Sequence, residues 1–466
     1  MPEKIPLISV RKTFAIRKAS RYETRTFMSE DLNRLPPQTK YIVGNEACER
    51  LSFYGVVAIL TAYATLIYGG GEKGGIEAKA LVHDWKSLTY LLPLLGAWIA
   101  DRYWGRYKTI LLISMAYCAG HALMSATEGT KWGLLAGLVL LAIGSGGIKP
   151  CVSAFVGDQF GPGQEAQMTK VYGLFYWSIN FGSFFAFSCI PWIRDKYGYS
   201  VAFLIPGIFM FMATVLFFMG RRHYVIKPPS KTLPPVDPET KKRDRKTLFK
   251  ILGVFVPVIV FWSLFDQQHT TWVQQGAQMI PYNIGSYVVN GETMQSVNPL
   301  YVMSLIPLFV MFVYPALTKA GLNPTPLRRM GTGMVLAALA FLISAWLQKR
   351  IEGGEHLSIM WQLIPYAVMT AAEVLISATG LEFAFSVAPS RLKSLIMSFW
   401  LLTVAIGNQL ASLVTKMNAT IDAAGTTVRR ISVSDEMLVY VVLMLVVAAI
   451  FAAIASKFPD RKSVDS

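Results

Sequence analysis

Read from its first residue, the chain alternates long apolar stretches with short polar ones. Twelve stretches reach the length of roughly 17–25 residues that a helix needs to cross a bilayer core. They fall at about 41–68, 76–101, 107–127, 132–157, 167–192, 199–219, 248–280, 298–318, 326–348, 358–388, 393–416 and 434–456. Hydrocarbon offers an open backbone amide no partner, so spans of this length are predicted to be helices and the fold an all-α membrane protein. The stretch over 220–247 is rich in Lys, Arg and Pro (Arg221, Arg222, Pro228, Pro229, Pro234, Pro235, Pro238, Lys241, Lys242, Arg243) and has too few apolar residues to build a core. It reads as a tether. The chain then divides into a basic N-terminal segment over 1–40, a six-helix bundle over 41–219, the linker over 220–247, a second six-helix bundle over 248–456 and a tail over 457–466.

Composition agrees with lipid as the main solvent. Of 466 residues, 53% are hydrophobic and 15% charged, against about 25% charged in a soluble domain. The net charge of +16 would be a nucleic-acid footprint on a soluble protein. Here most Lys and Arg gather at the termini and in alternate loops, a topology signal that places both termini in the cytoplasm and makes nucleic acid an unexpected partner. Cys48, Cys118, Cys151 and Cys189 lie inside apolar spans without metal-ligand spacing and read as structural thiols. Residues 1–40 are too interrupted by charge to form a cleavable signal peptide.

Charge changes the picture most where it enters a span. An ionisable group at the middle of a span costs roughly 2.5–3.5 kcal/mol on insertion scales, so it faces the protein interior or water and has a partner. The first span carries Glu46, Glu49 and Arg50 on one helical face. One guanidinium cannot fully pair two carboxylates. The surplus acid is a candidate to take up and release protons, and the competing reading is a structural ion pair that fixes packing. No Ser/His/Asp set, HExxH or metal-ligand motif appears in a span, so neither an enzyme nor a cofactor or metal is expected.

Further motifs carry a resemblance. Six spans plus six around a central loop, with Gly96, Asp101, Arg102, Gly105 and Arg106 between spans 2 and 3, resemble the major facilitator fold, whose site lies between the halves near the midplane. Glu46, Glu49 and Arg50 followed by Phe53, Tyr54 and Gly55 resemble the first-helix motif of the proton-dependent oligopeptide transporter family. Segments 144–150, 175–182, 261–268, 298–300, 373–377 and 381–389 are similar, in order, to that family's signatures in spans 4, 5, 7, 8 and 10. The resemblance covers about residues 41–455 and implies a proton-coupled symporter of di- and tripeptides that works as a monomer in a cell membrane.

By that resemblance, Glu46, Glu49 and Arg50 couple protons, with Asp266 and His83 as further candidates. Lys149 pairs with Glu373 or with a peptide's C-terminal carboxylate, and Glu373 holds its N-terminal ammonium. Asn180 and Asn298 bond the peptide backbone, while Tyr54, Tyr90, Tyr176, Trp262 and Trp400 line side-chain pockets. The competing reading of each aromatic is helix packing or an interfacial belt. His83, beside Asp84 and Lys86, also reads as a solvated residue at the start of its span. Glu382 ranks below Glu373 because it lies near the span's end. One position departs: relatives often carry an arginine two residues after Gly55, facing the span-7 acid, and here Val57 stands there. Asp266 is thus expected to lack its usual partner and to be neutral, to pair with His83 or Arg50, or to sit in water. A short connection between spans 9 and 10 points to a bacterial inner membrane. The alternatives are another small solute on the same fold, such as an amino acid or nitrate, or a nutrient sensor without net flux.

Overall fold

The computed structural model describes residues 35–161, 163–229, 237–387 and 393–457. Residues 1–34 of the expected N-terminal segment, 230–236 of the linker, 458–466 of the tail, and Ala388 and Pro389 of the span-10 signature lie outside the described residues.

Helices dominate the N-terminal half: α1 (Thr39–Ile67), α2 (Gly71–Ile99), α3 (Arg106–Ala126), α4 (Lys131–Asp158) and α5 (Glu165–Met219). At about 1.5 Å per residue, the 55 residues of α5 would outreach a bilayer core more than twice. The helix breaks at Gly198, where φ is 85° and ψ 171°, a conformation open to glycine. Contacts with α1 show that the two arms fold back on each other. Along the first arm, Gly182 lies against Ala47 and Leu51, and Ile190 against Gly55. Along the second, Phe203 packs on Tyr63, Pro206 on Gly55, and the Ala213 carbonyl accepts from Asn45. The arms therefore run in opposite directions beside α1, matching the two spans expected at 167–192 and 199–219.

The C-terminal half contains α6 (Pro238–Phe265), α7 (Thr271–Gly276), α8 (Val297–Leu308), α9 (Tyr314–Lys319), α10 (Pro326–Glu352), α11 (Leu363–Val387), α12 (Lys393–Asn418) and α13 (Val433–Ala455). A 3-10 turn over Asp266–His269 joins α6 to α7, and a π turn over Phe309–Val313 joins α8 to α9. Two short antiparallel hairpins depart from the all-α expectation: β1 (Tyr282–Ile284) with β2 (Tyr287–Val289), and β3 (Ala419–Ile421) with β4 (Thr427–Arg429). The linker also differs. Helix α6 starts inside it, because Asp237 caps the Thr240 amide at 2.8 Å and Pro238 fits the first helical position.

Ten segments among the described residues are long and apolar enough to cross a membrane, the α5 pair being counted as one. Helix α2 falls short of that measure because it carries Glu72, Lys73, Glu77, Lys79, Asp84 and Lys86. The protein interior takes the place of lipid for part of this set, since Lys79, His83 and Lys86 are buried. Small residues let the N-terminal helices close on one another. A Cβ on Gly96 would lie 2.6 Å from the Gly147 Cα, and one on Gly144 would lie 2.4 Å from the Tyr117 Cβ. The apolar core is in two clusters. One holds Leu60, Phe155, Phe187 and Phe203, the other Phe261, Trp272, Phe341 and Met444, and Tyr90 reaches from α2 to the second.

Candidate functional site

The first-span motif forms as a buried ion-pair cluster. Arg50 Nε lies 3.0 Å from Glu46 Oε1 and Arg50 Nη2 2.5 Å from Glu49 Oε2. Neither the Nε contact to Glu46 nor the contact to Glu49 is aligned as a hydrogen bond, so the attraction is mainly electrostatic. Gly182 is what lets α5 approach: a Cβ there would sit 2.7 Å from the Ala47 carbonyl and 3.1 Å from the Arg50 Cβ. Lys149 is within electrostatic reach of Arg50, Glu49 and Glu46, so the cluster carries two cations and two acids.

Asp266 is not without a partner, contrary to the expectation from Val57. Lys86 Nζ donates to its Oδ1 at 2.5 Å and Asn408 Nδ2 to its Oδ2 at 2.6 Å. The pairing comes from α2 rather than α1, where Val57 is buried in apolar core. His83 is not an interfacial residue either. It is fully buried, with Nδ1 2.9 Å from Asn408 Oδ1 and Nε2 3.0 Å from Thr270 Oγ1. Lys86, Asp266, Asn408, His83 and Thr270 thus make one polar network between the halves.

Lys149 and Glu373 do not pair in this conformation. Lys149 Nζ is buried without a hydrogen-bond partner and lies 3.8 Å from the Phe53 ring centroid and 4.4 Å from that of Tyr90. Glu373 Oε2 accepts from Asn298 Nδ2 at 2.9 Å, and the same amide reaches Thr370 Oγ1 at 3.1 Å. Asn298 therefore orients Glu373 here, and Asn180 donates to the Tyr176 carbonyl at 3.0 Å. Tyr54 is within electrostatic reach of Arg50, Glu373 and Asp266. Trp262 and Trp400 are largely packed into the C-terminal core, edge to face with centroids 6.2 Å apart. Tyr176 is exposed at 46%. Glu382 pairs with Arg329 at 3.4 Å on an exposed side chain, away from Glu373's partners.

Several residues of the interface between the halves escaped the sequence reading. Lys79 of α2 and Glu436 of α13 form a buried ion pair. Arg194 Nη2 lies 2.5 Å from Glu292, and Lys416 Nζ 2.7 Å from Asp84. His269 Nδ1 meets Gln295 Oε1 at 2.7 Å, and Gln295 Nε2 donates to the Ala58 carbonyl at 3.1 Å. A signal was present: Lys79, His83 and Lys86 recur at helical spacing, which places them on one face of α2. These cross-half bonds gather at one end of the molecule, near the α1–α2 connection, Gly198 and the two hairpins. Among the described residues no cluster of three or more His, Cys, Asp or Glu is placed to hold a metal, and the four cysteines are free thiols.

A helical protein in two halves, joined to each other by buried charges and holding an aromatic-flanked cation, has the architecture of the major facilitator fold. The comparisons narrow this. The model of the family described as PTR2, the POT family, matches residues 107–237 and 231–431. Peptide transporter family 1 of Drosophila melanogaster is 36% identical over 366 residues, which is 69% of this chain and 49% of that protein. Solute carrier family 15 member 2 of Homo sapiens is 35% identical over 364 residues, 68% of this chain and 49% of that protein. The chain spans about half the length of the curated relatives it matches. A crystal structure described as an auto-inhibited POT family peptide transporter aligns with TM-score 0.84 and 33% identity, over 92% of this chain and 99% of that one. That of the POT family transporter PepTSo aligns with TM-score 0.82 and 34% identity, over 91% and 98%. The chain belongs to the POT family.

Proposed function

We propose that this protein is a proton-coupled symporter that imports di- and tripeptides by alternating access, with twelve spans in two six-helix bundles and both termini in the cytoplasm. The observation that carries the reading is the pair of separated poles. Lys149 Nζ is buried on one half without a hydrogen-bond partner, and Glu373 is held by Asn298 on the other. A zwitterionic peptide brings the complementary charges, and Tyr54, within electrostatic reach of Glu373, offers an aromatic face that tolerates varied side chains. Relatives named as peptide transporters, the Drosophila melanogaster protein at 36% identity and the auto-inhibited POT family peptide transporter at 33%, support the same substrate class. The twelve spans follow from taking α5 as two spans and α2 as a span shielded by protein. The membrane orientation rests on the Lys and Arg bias of the loops.

In this reading a proton on Glu46 or Glu49 loosens their hold on Arg50, and one on Asp266 releases Lys86. The second event weakens a bond that keeps one end shut, and the first frees Arg50 on α1 to meet substrate. Substrate then bridges the halves, and the site opens to the other side.

Uptake of labelled dialanine into proteoliposomes, driven by an inward proton gradient, tests the proposal. Accumulation and counterflow are both expected. Absence of both in wild type rejects peptide transport. Glu49→Gln is expected to lose gradient-driven accumulation and keep counterflow, and normal driven uptake by this variant removes its proton role. Nitrate is disfavoured as the substrate because the Glu373 carboxylate would repel it. Competition between dialanine, free alanine and nitrate separates the solutes.

A further inference from the structure

Helix α2 presents Glu72, Lys79, His83 and Lys86 at spacings of one helical face, and each meets the C-terminal half. Glu72 accepts the Arg429 backbone amide at 3.0 Å. Lys79 pairs with Glu436, His83 with Asn408 and Thr270, and Lys86 with Asp266. The proposed proton cycle uses the inner members of this row and leaves Lys79 and Glu436 idle. Yet Lys79 is fully buried and Glu436 nearly so, at 0% and 2% exposure. Two charges withdrawn from water need a reason to be there.

We propose that Lys79 and Glu436 are positioning residues that form a second, outer latch, stacked about 10 Å along α2 from the Lys86–Asp266 pair, and that they set how readily this end opens. The inference rests on the alternating-access reading above. The partners are unequally placed. Glu436 is anchored in its own half by Asn418 Nδ2 at 2.8 Å and Arg429 Nη1 at 3.5 Å, near the start of α13 capped by Ser432. Lys79 has crossed the interface to find its counter-charge, and the nearby Tyr440 ring, 6.0 Å away, also belongs to the C-terminal half. When the halves part, Glu436 keeps Asn418 and Arg429, while Lys79 passes to water. The closed state therefore depends on the acid: without Glu436, a buried ammonium is left unpaired, and opening is its route to solvation.

The test is a labelling assay on the full chain with its four cysteines changed to alanine and Ser412→Cys as reporter. Ser412 is fully buried on α12, one turn from Asn408 toward Lys416. A membrane-impermeant maleimide is added from the hairpin side. Adding Glu436→Gln is expected to speed labelling by more than about fivefold over the reporter chain, because the population shifts toward the open form. Lys79→Met gives a smaller rise. The double variant Lys79→Met/Glu436→Gln labels more slowly than Glu436→Gln, because the unpaired ammonium is gone.

No acceleration by Glu436→Gln, or a double variant at least as fast as Glu436→Gln, overturns the latch. Should Glu436→Gln fail to fold, Glu436→Asp replaces it, since the shorter carboxylate loosens the pair. Labelling above the reporter chain is then expected, and equal labelling overturns the proposal. Labelling needs no solute, so a chain that carries no peptide still reports on the latch. Unchanged labelling in a chain that does transport dialanine rejects the latch alone.

Discussion

At the residue scale, the acids differ in how they are held, and that difference predicts how each fails. Asp266 receives Lys86 at 2.5 Å and Asn408 at 2.6 Å in a buried site. Removing one partner of such a pair costs about 3–5 kcal/mol through the orphaned charge. Lys86→Met and Asp266→Asn are each expected to reduce dialanine uptake at least tenfold, and the double variant to recover part of the loss. An uptake assay with a surface-expression control checks this, and wild-type activity in both single variants would rule the pair out as a functional element. The ion-pair cluster of Glu46, Glu49 and Arg50 was legible because charge inside an apolar span is rare and must be partnered, whereas Glu373 was singled out by resemblance. Lys86 was not legible. Beside His83 and Asp84 it looks like part of a solvated span end, and its partner lies 180 positions away. Val57 misled for the same reason: it reports what α1 lacks and says nothing of what α2 supplies.

At the element scale, hydropathy located the helices well and their joints poorly. The two arms of α5 read as separate spans because the apolar runs are separate, while the break itself is one glycine. The hairpins β1–β2 and β3–β4 have three-residue strands, too short for any alternation to register. The start of α6 was hidden by the proline content around it, although Asp237 followed by Pro238 is a helix-start signal. Packing between α2 and α4 depends on missing side chains. Overpacking a fitted interior costs about 1–3 kcal/mol, so Gly96→Ala, whose Cβ would meet the Gly147 backbone at 2.6 Å, should lower thermal stability in detergent. Gly173→Ala, with nothing within 4 Å of its added Cβ, is the control and should melt as wild type. Equal melting of both variants would contradict the close approach.

At the scale of the whole molecule, burial ranks the bonds that join the halves. Lys416–Asp84 is exposed, with side-chain accessibilities of 52% and 37%, and exposed pairs contribute about 0–1 kcal/mol. Asp84→Asn should therefore leave uptake within about twofold of wild type. A loss as large as that of Asp266→Asn would show that burial does not set the ranking. Lys79–Glu436 and Lys86–Asp266 are buried and Arg194–Glu292 is partly buried, and in the proposed cycle they carry the closure. The two-half layout was legible from the linker. The conformation was not, because it lies in pairings between distant positions.

The contact of the Arg429 amide with Glu72 puts the base of the β3–β4 hairpin, at the end of β4, beside the first turn of α2 at the shut end. An antibody fragment with a footprint across both would act as a clamp rather than a competitor. It would hold the two halves without entering the solute path. Its inhibition would be insensitive to peptide concentration, and it would arrest a single conformer suited to imaging.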